Sequence, residues 1–235
     1  MRIERRAADR GSSRSDWLDS RHAFSFGGYH DPGWMGWGAL RVLNDDRVAP
    51  GAGFAPHRHA NMEILTGVLS GALAHRDDAG GSGVVEAGEW QWMGAGHGVT
   101  HSEFNASDAE PVHFLQVWIQ PDRVNLAPGH ARAPAAPAAS DDGRWRLVAS
   151  PDGADGSLAI RQQAWLRSAR VAAGGSLEAA LDPARRYWLQ LATGSAEIDG
   201  VAFAAGDALA IVDDPGPLRI RATTAAWLLL FDLPR

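Results

Sequence analysis

Cysteine is absent from the 235-residue chain, and so is lysine: all 22 basic residues are arginine. Without cysteine there is no disulfide, no thiolate nucleophile and no thiolate zinc site. Without lysine there is no Schiff-base or P-loop chemistry. A net charge of −6 leaves no basic footprint for nucleic acid. No run approaches eighteen apolar residues, and the charged start Met1-Arg2-Ile3-Glu4-Arg5-Arg6 has no apolar h-region. The expectation is a cytoplasmic protein with no membrane partner. Any metal must be held by histidine and carboxylate.

What is present is β-biased. Before residue 130 no amphipathic helical period of useful length occurs. Short alternating runs do occur: Gly38 to Val48, Met62 to Leu69, Ala72 to His75, Val84-Val85, Glu89 to Met93 and Val112 to Ile119. Gly, Asp and Ser clusters separate them, including the hairpin loop Asp77 to Gly83, and Asn44-Asp45-Asp46 reads as a turn. Residues 1–20 are polar and arginine-rich, with Ser12 to Asp16 reading as a loop or turn, and the aromatic run from Trp17 to Trp37 as extended chain packing rings on a sheet. This spacing predicts an all-β barrel or sandwich.

Prolines and alanines crowd Ala127 to Asp142, which predicts a linker at 128–143 between domains at 1–127 and 144–235. Strands are expected again at Trp145 to Ser150, Ser157 to Gln163 and Trp165 to Val171. Leu189 to Gly200 echoes Leu65 to Asp78, and Ala205 to Ile211 echoes Ala87 to Met93. Two similar barrels account for both the echo and the length.

Gly51 to Asn105 carries the chemistry. Residues i and i+2 of a strand share a face, so His57 and His59 project together, as do His101 and Glu103. Three imidazoles and a carboxylate suit one divalent Fe, Mn, Co, Ni, Cu or Zn. On an octahedral ion such a set leaves two positions for substrate or dioxygen. On alternation alone Glu63 shares that face and is a rival ligand, or a base beside the metal. His97 lies where it could line the entrance. His75 reads as a solvent-facing strand end, and His22, His30 and His130 as structural. His113 fits either the core or the outer face. No histidine follows His130, so a second barrel has no comparable site.

Gly51-(x5)-His57-Arg58-His59-(x3)-Glu63 resembles the first cupin motif. Gly88 through His101, then Asn105, resembles the second, with Gly94 in the place of a common proline. Asp16-Trp17-Leu18-Asp19-Ser20, Phe24-Ser25-Phe26, Asn61 to Thr66, Gln91 to Gly96, His101-Ser102-Glu103 and Leu230 to Pro234 extend the likeness to pirins, specifically the short bacterial quercetin 2,3-dioxygenase-like ones. The resemblance implies an all-β bicupin whose N-terminal barrel alone binds metal, Fe(II) first among candidates, through His57, His59, His101 and Glu103. It moves Glu63 to an outer-shell role. Arg58 and His97 depart from the usual residues near the mouth. The implied reaction is flavonol cleavage by dioxygen, releasing carbon monoxide and a depside, with Glu103 taking the proton of the 3-hydroxyl. The same ligands would also serve a metal- or redox-responsive regulator with a protein partner, or an oxygenase for another phenol or enediol.

Overall fold

A computed structural model of the chain describes residues 1–135 and 143–235. Among these residues the strands number β1 to β22 along the chain, and helix is confined to single 3-10 turns at Ala7–Asp9 and Ala154–Gly156. No helix among them is long and apolar enough to cross a membrane. Two compact units form. One holds the chain from Gly11 through β12 (Gly129–Ala133) together with Pro151–Gln162; the other holds Met1–Arg10, β13 (Arg146–Ser150) and Gln163–Arg235.

In the first unit a seven-stranded antiparallel sheet runs β12, β9 (Trp90–Gly94), β6 (Glu63–Ser70), β11 (Val112–Ile119), β4 (Leu40–Val48), β3 (Leu18–His22), β2 (Gly11–Arg14). A four-stranded sheet runs β5 (Gly53–His59), β10 (Val99–Asn105), β7 (Ala72–Asp77), β8 (Ser82–Glu86). Alternation turns one face of each sheet inward, where Val48, Val68, Val112 and Phe114 of the larger sheet meet Leu73 and Val85 of the smaller.

The second unit repeats this order with β1 (Arg2–Arg5), β20 (Ala208–Val212), β17 (Arg186–Thr193), β22 (Ala226–Leu233), β15 (Trp165–Val171) and β13. Its smaller sheet is β16 (Ser176–Ala179), β21 (Leu218–Ala222), β18 (Ser195–Ile198), β19 (Val201–Ala204). The expected echo is therefore a repeat of β6–β7 in β17–β18. Both pairs turn on a glycine of left-handed φ, 77° at Gly71 and 79° at Gly194. A Cβ on Gly71 would sit 2.9 Å from the Pro111 carbonyl oxygen, so the tight turn admits glycine only. Where the first barrel carries its histidines, the second has Leu177, Ala179, Leu218, Ile220 and Ala222, all in one apolar core with Leu189, Leu228 and Leu230.

Several expectations are corrected. Ser12 to Asp16 is not simply loop or turn, since Ser12 to Arg14 belong to β2 (Gly11–Arg14), with β1 and the start of β3 also within residues 1–20. β1 pairs with β20 as β12 pairs with β9, so the chain start serves the second unit and the units are not contiguous. The stretch expected as linker contains β12, a proline-free edge strand between Pro128 and Pro134, so the prolines bound the strand without forbidding it. The rest of that linker, residues 136–142, lies outside the described residues. Asn44-Asp45-Asp46 is no turn but the middle of β4, held between β3 and β11. Of Ser157 to Gln163 only β14 (Leu158–Ala159) is strand.

Candidate metal centre

β5 and β10 lie side by side, antiparallel, with His57 opposite His101 and His59 opposite Val99. The register then shifts, so that Glu103 stands opposite Phe54: Ala55 and Pro56 form a bulge on β5. β5 is an edge strand, which lets Pro56 lack a ladder donor without loss. The imidazole centroids of His57, His59 and His101 are 4.5 to 4.9 Å apart. Their candidate ligand atoms lie within 4.8 Å of one another. Glu103 falls within the same limit of His101 and His75, an overlapping group.

The protonation pattern suits a cation. His57 Nδ1 donates to the Ala55 carbonyl at 2.8 Å, which leaves Nε2 as its lone pair. Burial, reinforced by the His57 charge, lowers His59 to about 4. Burial and the neighbouring imidazoles lower His101 to about 3. Both are therefore neutral at pH 7, the form that ligates. His101 Nε2 is buried and has no hydrogen-bond partner among the described residues, so the cluster ends on an orphaned acceptor. The residues present fit a bound divalent ion.

Glu103 is 2% exposed, and burial pushes its carboxyl up to about 7 against hydrogen bonds from Gln116 and Thr66. Gln116 Nε2 donates to it at 2.8 Å, and Thr66 Oγ1 donates to Gln116 Oε1 at 2.8 Å. These belong to a row in cross-strand register, His22, Asn44, Gln116, Thr66 and Gln91, on β3, β4, β11, β6 and β9. A polar row thus crosses the sheet, and its middle members Gln116 and Thr66 face Glu103.

A second line runs behind His101. Burial would raise the Asp77 carboxyl, but hydrogen bonds from His75 Nε2 and the Gly81 and Ala79 N–H groups hold it below the usual range. Asp77 is then ionised, so His75 carries its proton on Nε2, 3.0 Å from Asp77 Oδ2, and offers Nδ1 as acceptor. His101 Nδ1 lies 3.4 Å from that atom and donates to it. The relay leaves the His101 lone pair on Nε2, the atom facing the cluster. His75 is therefore not a solvent-facing strand end, being 3% exposed and stacked on His130 at 5.0 Å. The signal was available: His75-Arg76-Asp77 has the same i, i+2 spacing as His57/His59 and His101/Glu103.

His57, His59 and Glu103 line a cavity of about 520 Å³. Trp17, Phe26, Phe54 and Trp118 wall it, and His22, Asn44, Asp46 and Ser20 line it from β3 and β4. His22, expected as merely structural, is one of its walls. Glu63 does not share the face of His57: Asn61 at φ 51° breaks the alternation before β6 begins. Its carboxylate instead accepts from Trp92 Nε1 at 2.8 Å and Arg161 N at 3.0 Å, so the expected outer-shell role is replaced by tethering the 151–162 segment. Arg58 and His97 do not line the cavity; Arg58 Nη2 donates to the His97 carbonyl at 3.0 Å. His113 points outward to Asp45 at 2.7 Å.

A family model described as "Pirin" matches residues 4–119, and one described as "Quercetinase C-terminal cupin domain" matches residues 147–233. A Pseudomonas aeruginosa protein provisionally named quercetin 2,3-dioxygenase is 45% identical over 233 residues, 98% of this chain and 99% of its own. The chain belongs to the pirin family. Its two barrels are the tandem cupins of that family, and the "Quercetin 2,3-dioxygenase" of Escherichia coli (strain K12) is 41% identical to this pirin over 230 residues, 98% of this chain and 97% of its own. The crystal structure of the bacterial pirin YhhW from Escherichia coli in complex with nickel(II) superposes with a TM-score of 0.93 at 40% identity, covering 100% of this chain and 99% of that one.

Proposed function

We propose that this pirin is a metal-dependent, ring-cleaving dioxygenase for flavonols such as quercetin. Its metal, Fe(II) first among the candidates, would be held by His57, His59, His101 and Glu103. The observation that carries the reading is the orphaned, buried His101 Nε2 gathered with His57 and His59, which line an aromatic-sided cavity. The names of the relatives point the same way, and a nickel(II) complex is known for YhhW.

When bound, the divalent ion would act as a Lewis acid that lowers the pKa of a coordinated hydroxyl and presents open positions for dioxygen. The remaining work falls to the chain. Glu103, whose carboxyl burial raises to about 7, takes the proton of the flavonol 3-hydroxyl on a carboxylate oxygen, while Gln116, itself held by Thr66, keeps that carboxylate aimed. Trp118, at 4.8 Å from the His59 ring, and Phe54 flank the reacting ring and exclude water. The polar cluster belongs to the first barrel, and the apolar second barrel serves as support.

The test is anaerobic mixing of metal-loaded protein with quercetin. The flavonol absorption band is expected to shift on binding and to disappear on admission of air. An unshifted band with the metal fully loaded would remove the reading.

The relay behind His101 gives a separate prediction. In Asp77→Asn the amide donates to His75 Nε2, so the His75 proton moves to Nδ1 and forces the His101 proton onto Nε2. Metal affinity is expected to fall about 10- to 100-fold, as for other outer-shell partners of histidine ligands. Competition with a chromogenic chelator measures it, and wild-type affinity would detach the relay from the site.

A further inference from the structure

Asn and Asp are depleted from strand interiors, yet β4 carries Asn44-Asp45-Asp46 at its centre. Such local violations mark functional positions. Asp45 is accounted for on the outer face by His113 and Arg47. Asn44 is accounted for by His22, whose Nδ1 lies 2.8 Å from Asn44 Oδ1 and whose Nε2 lies 2.8 Å from Ser13 Oγ. Asp46 is not. Its Oδ1 accepts from Ser20 Oγ, but among the described residues its Oδ2 has no hydrogen-bond donor and no cation pairs with it. The residue is 3% exposed and lines the same cavity as His57, His59 and Glu103. Burial, opposed by Ser20 and reinforced by the Asp45 and Glu103 charges, raises its carboxyl to about 7. A nearly buried carboxyl on the cavity wall with one vacant oxygen accepts from whatever fills the cavity, water or ligand.

The sheet register places this acceptor relative to Gln116 on β11. Asn44 stands opposite Gln116, the residue that holds Glu103, and Asp46 opposite Phe114. Asp46 is thus one strand across and two residues along from Gln116, roughly 8 Å from strand spacing and rise. The same cavity is lined by two edge-on aromatic pairs, Trp17 with Phe54 at 5.2 Å and Phe26 with Trp118 at 5.4 Å. An aromatic lining with a polar acceptor beside it suits a flat, hydroxylated ring system.

We propose that Asp46 is the second anchor of the substrate: its Oδ2 accepts a hydrogen bond from a peripheral hydroxyl of the same flavonol whose 3-hydroxyl is directed at the metal. This rests on the flavonol reading and deepens it. The preferred substrate class is the polyhydroxylated flavonol, and one bearing only the 3-hydroxyl binds without the anchor.

The experiment compares quercetin with 3-hydroxyflavone, which has no peripheral hydroxyl, on anaerobic metal-loaded wild type, Asp46→Ala and Asp46→Asn, with metal content measured in each. Asp46→Ala is expected to weaken quercetin binding about 10- to 100-fold, the usual loss for a hydrogen bond to a charged group, and to leave 3-hydroxyflavone within about threefold. Asp46→Asn keeps the shape but, with its oxygen on Ser20 Oγ, puts an NH2 donor where Oδ2 stood; a ligand hydroxyl can still accept from it, so a smaller loss that still falls on quercetin alone is expected. Should the alanine variant misfold, the asparagine variant carries the comparison. Equal losses for both compounds, or no loss for either at full metal content, would overturn the anchor while leaving the flavonol reading standing. Wild type that binds neither compound would overturn both.

Discussion

His101→Ala is expected to leave the protein folded and essentially free of metal. The imidazole is the central member of the cluster, within reach of His57 and His59 on one side and His75 on the other. Among the described residues its Nε2 has no hydrogen-bond partner, so the substitution removes a lone pair that serves only the cluster, at the cost of the one hydrogen bond from Nδ1 to His75. Losing a ligand costs more than the roughly 100-fold that losing an outer-shell partner can cost. Metal per chain by mass spectrometry, beside the circular dichroism spectrum, measures both halves of the expectation. Glu103→Ala tests the fourth ligand the same way, and His57→Ala is the gentlest structurally, because His57 is only partly buried on an edge strand. A His101→Ala protein that keeps a full equivalent of metal would move the site elsewhere.

Leu230→Ala is expected to cost about 2–5 kcal/mol of stability without changing metal content. Leu230 is fully buried in β22 among Leu189, Leu191, Ile211 and Leu228, and truncation leaves a cavity that a strand-locked neighbourhood closes poorly. Denaturant titration followed by tryptophan fluorescence measures the loss. Because the chain forms two units, the first-barrel and second-barrel transitions are to be fitted separately. Metal lost in step with stability would mean that the second barrel does more than support the first.

The histidine cluster was legible because strand periodicity is local. His57 and His59 needed only a two-residue spacing to share a face, and β11 and β15 were bounded in the sequence where the structure bounds them, at Val112–Ile119 and Trp165–Val171. Glu63 shows where periodicity stops: one left-handed residue, Asn61, ends the phase, and no count of spacings carries across it.

Asn44-Asp45-Asp46 shows the opposite failure. Its composition is that of a turn, and only neighbours distant in sequence, β3 and β11, make it a strand centre. The polar row from His22 to Gln91 is likewise a matter of register between five strands, which no single segment specifies. Likewise, β1 completes a sheet whose other strands begin past residue 140.

The sequence by itself determined the β architecture, the repeat and the residue types able to hold a metal, because alternation, turns and donor chemistry are properties of short segments. The tertiary structure alone decided which donors meet, that His75 and Asp77 stand behind His101, that Glu63 faces away, and that Asp46 opens on the cavity. Those facts depend on strand pairing between residues far apart in the chain, where register and not composition sets which side chains face one another.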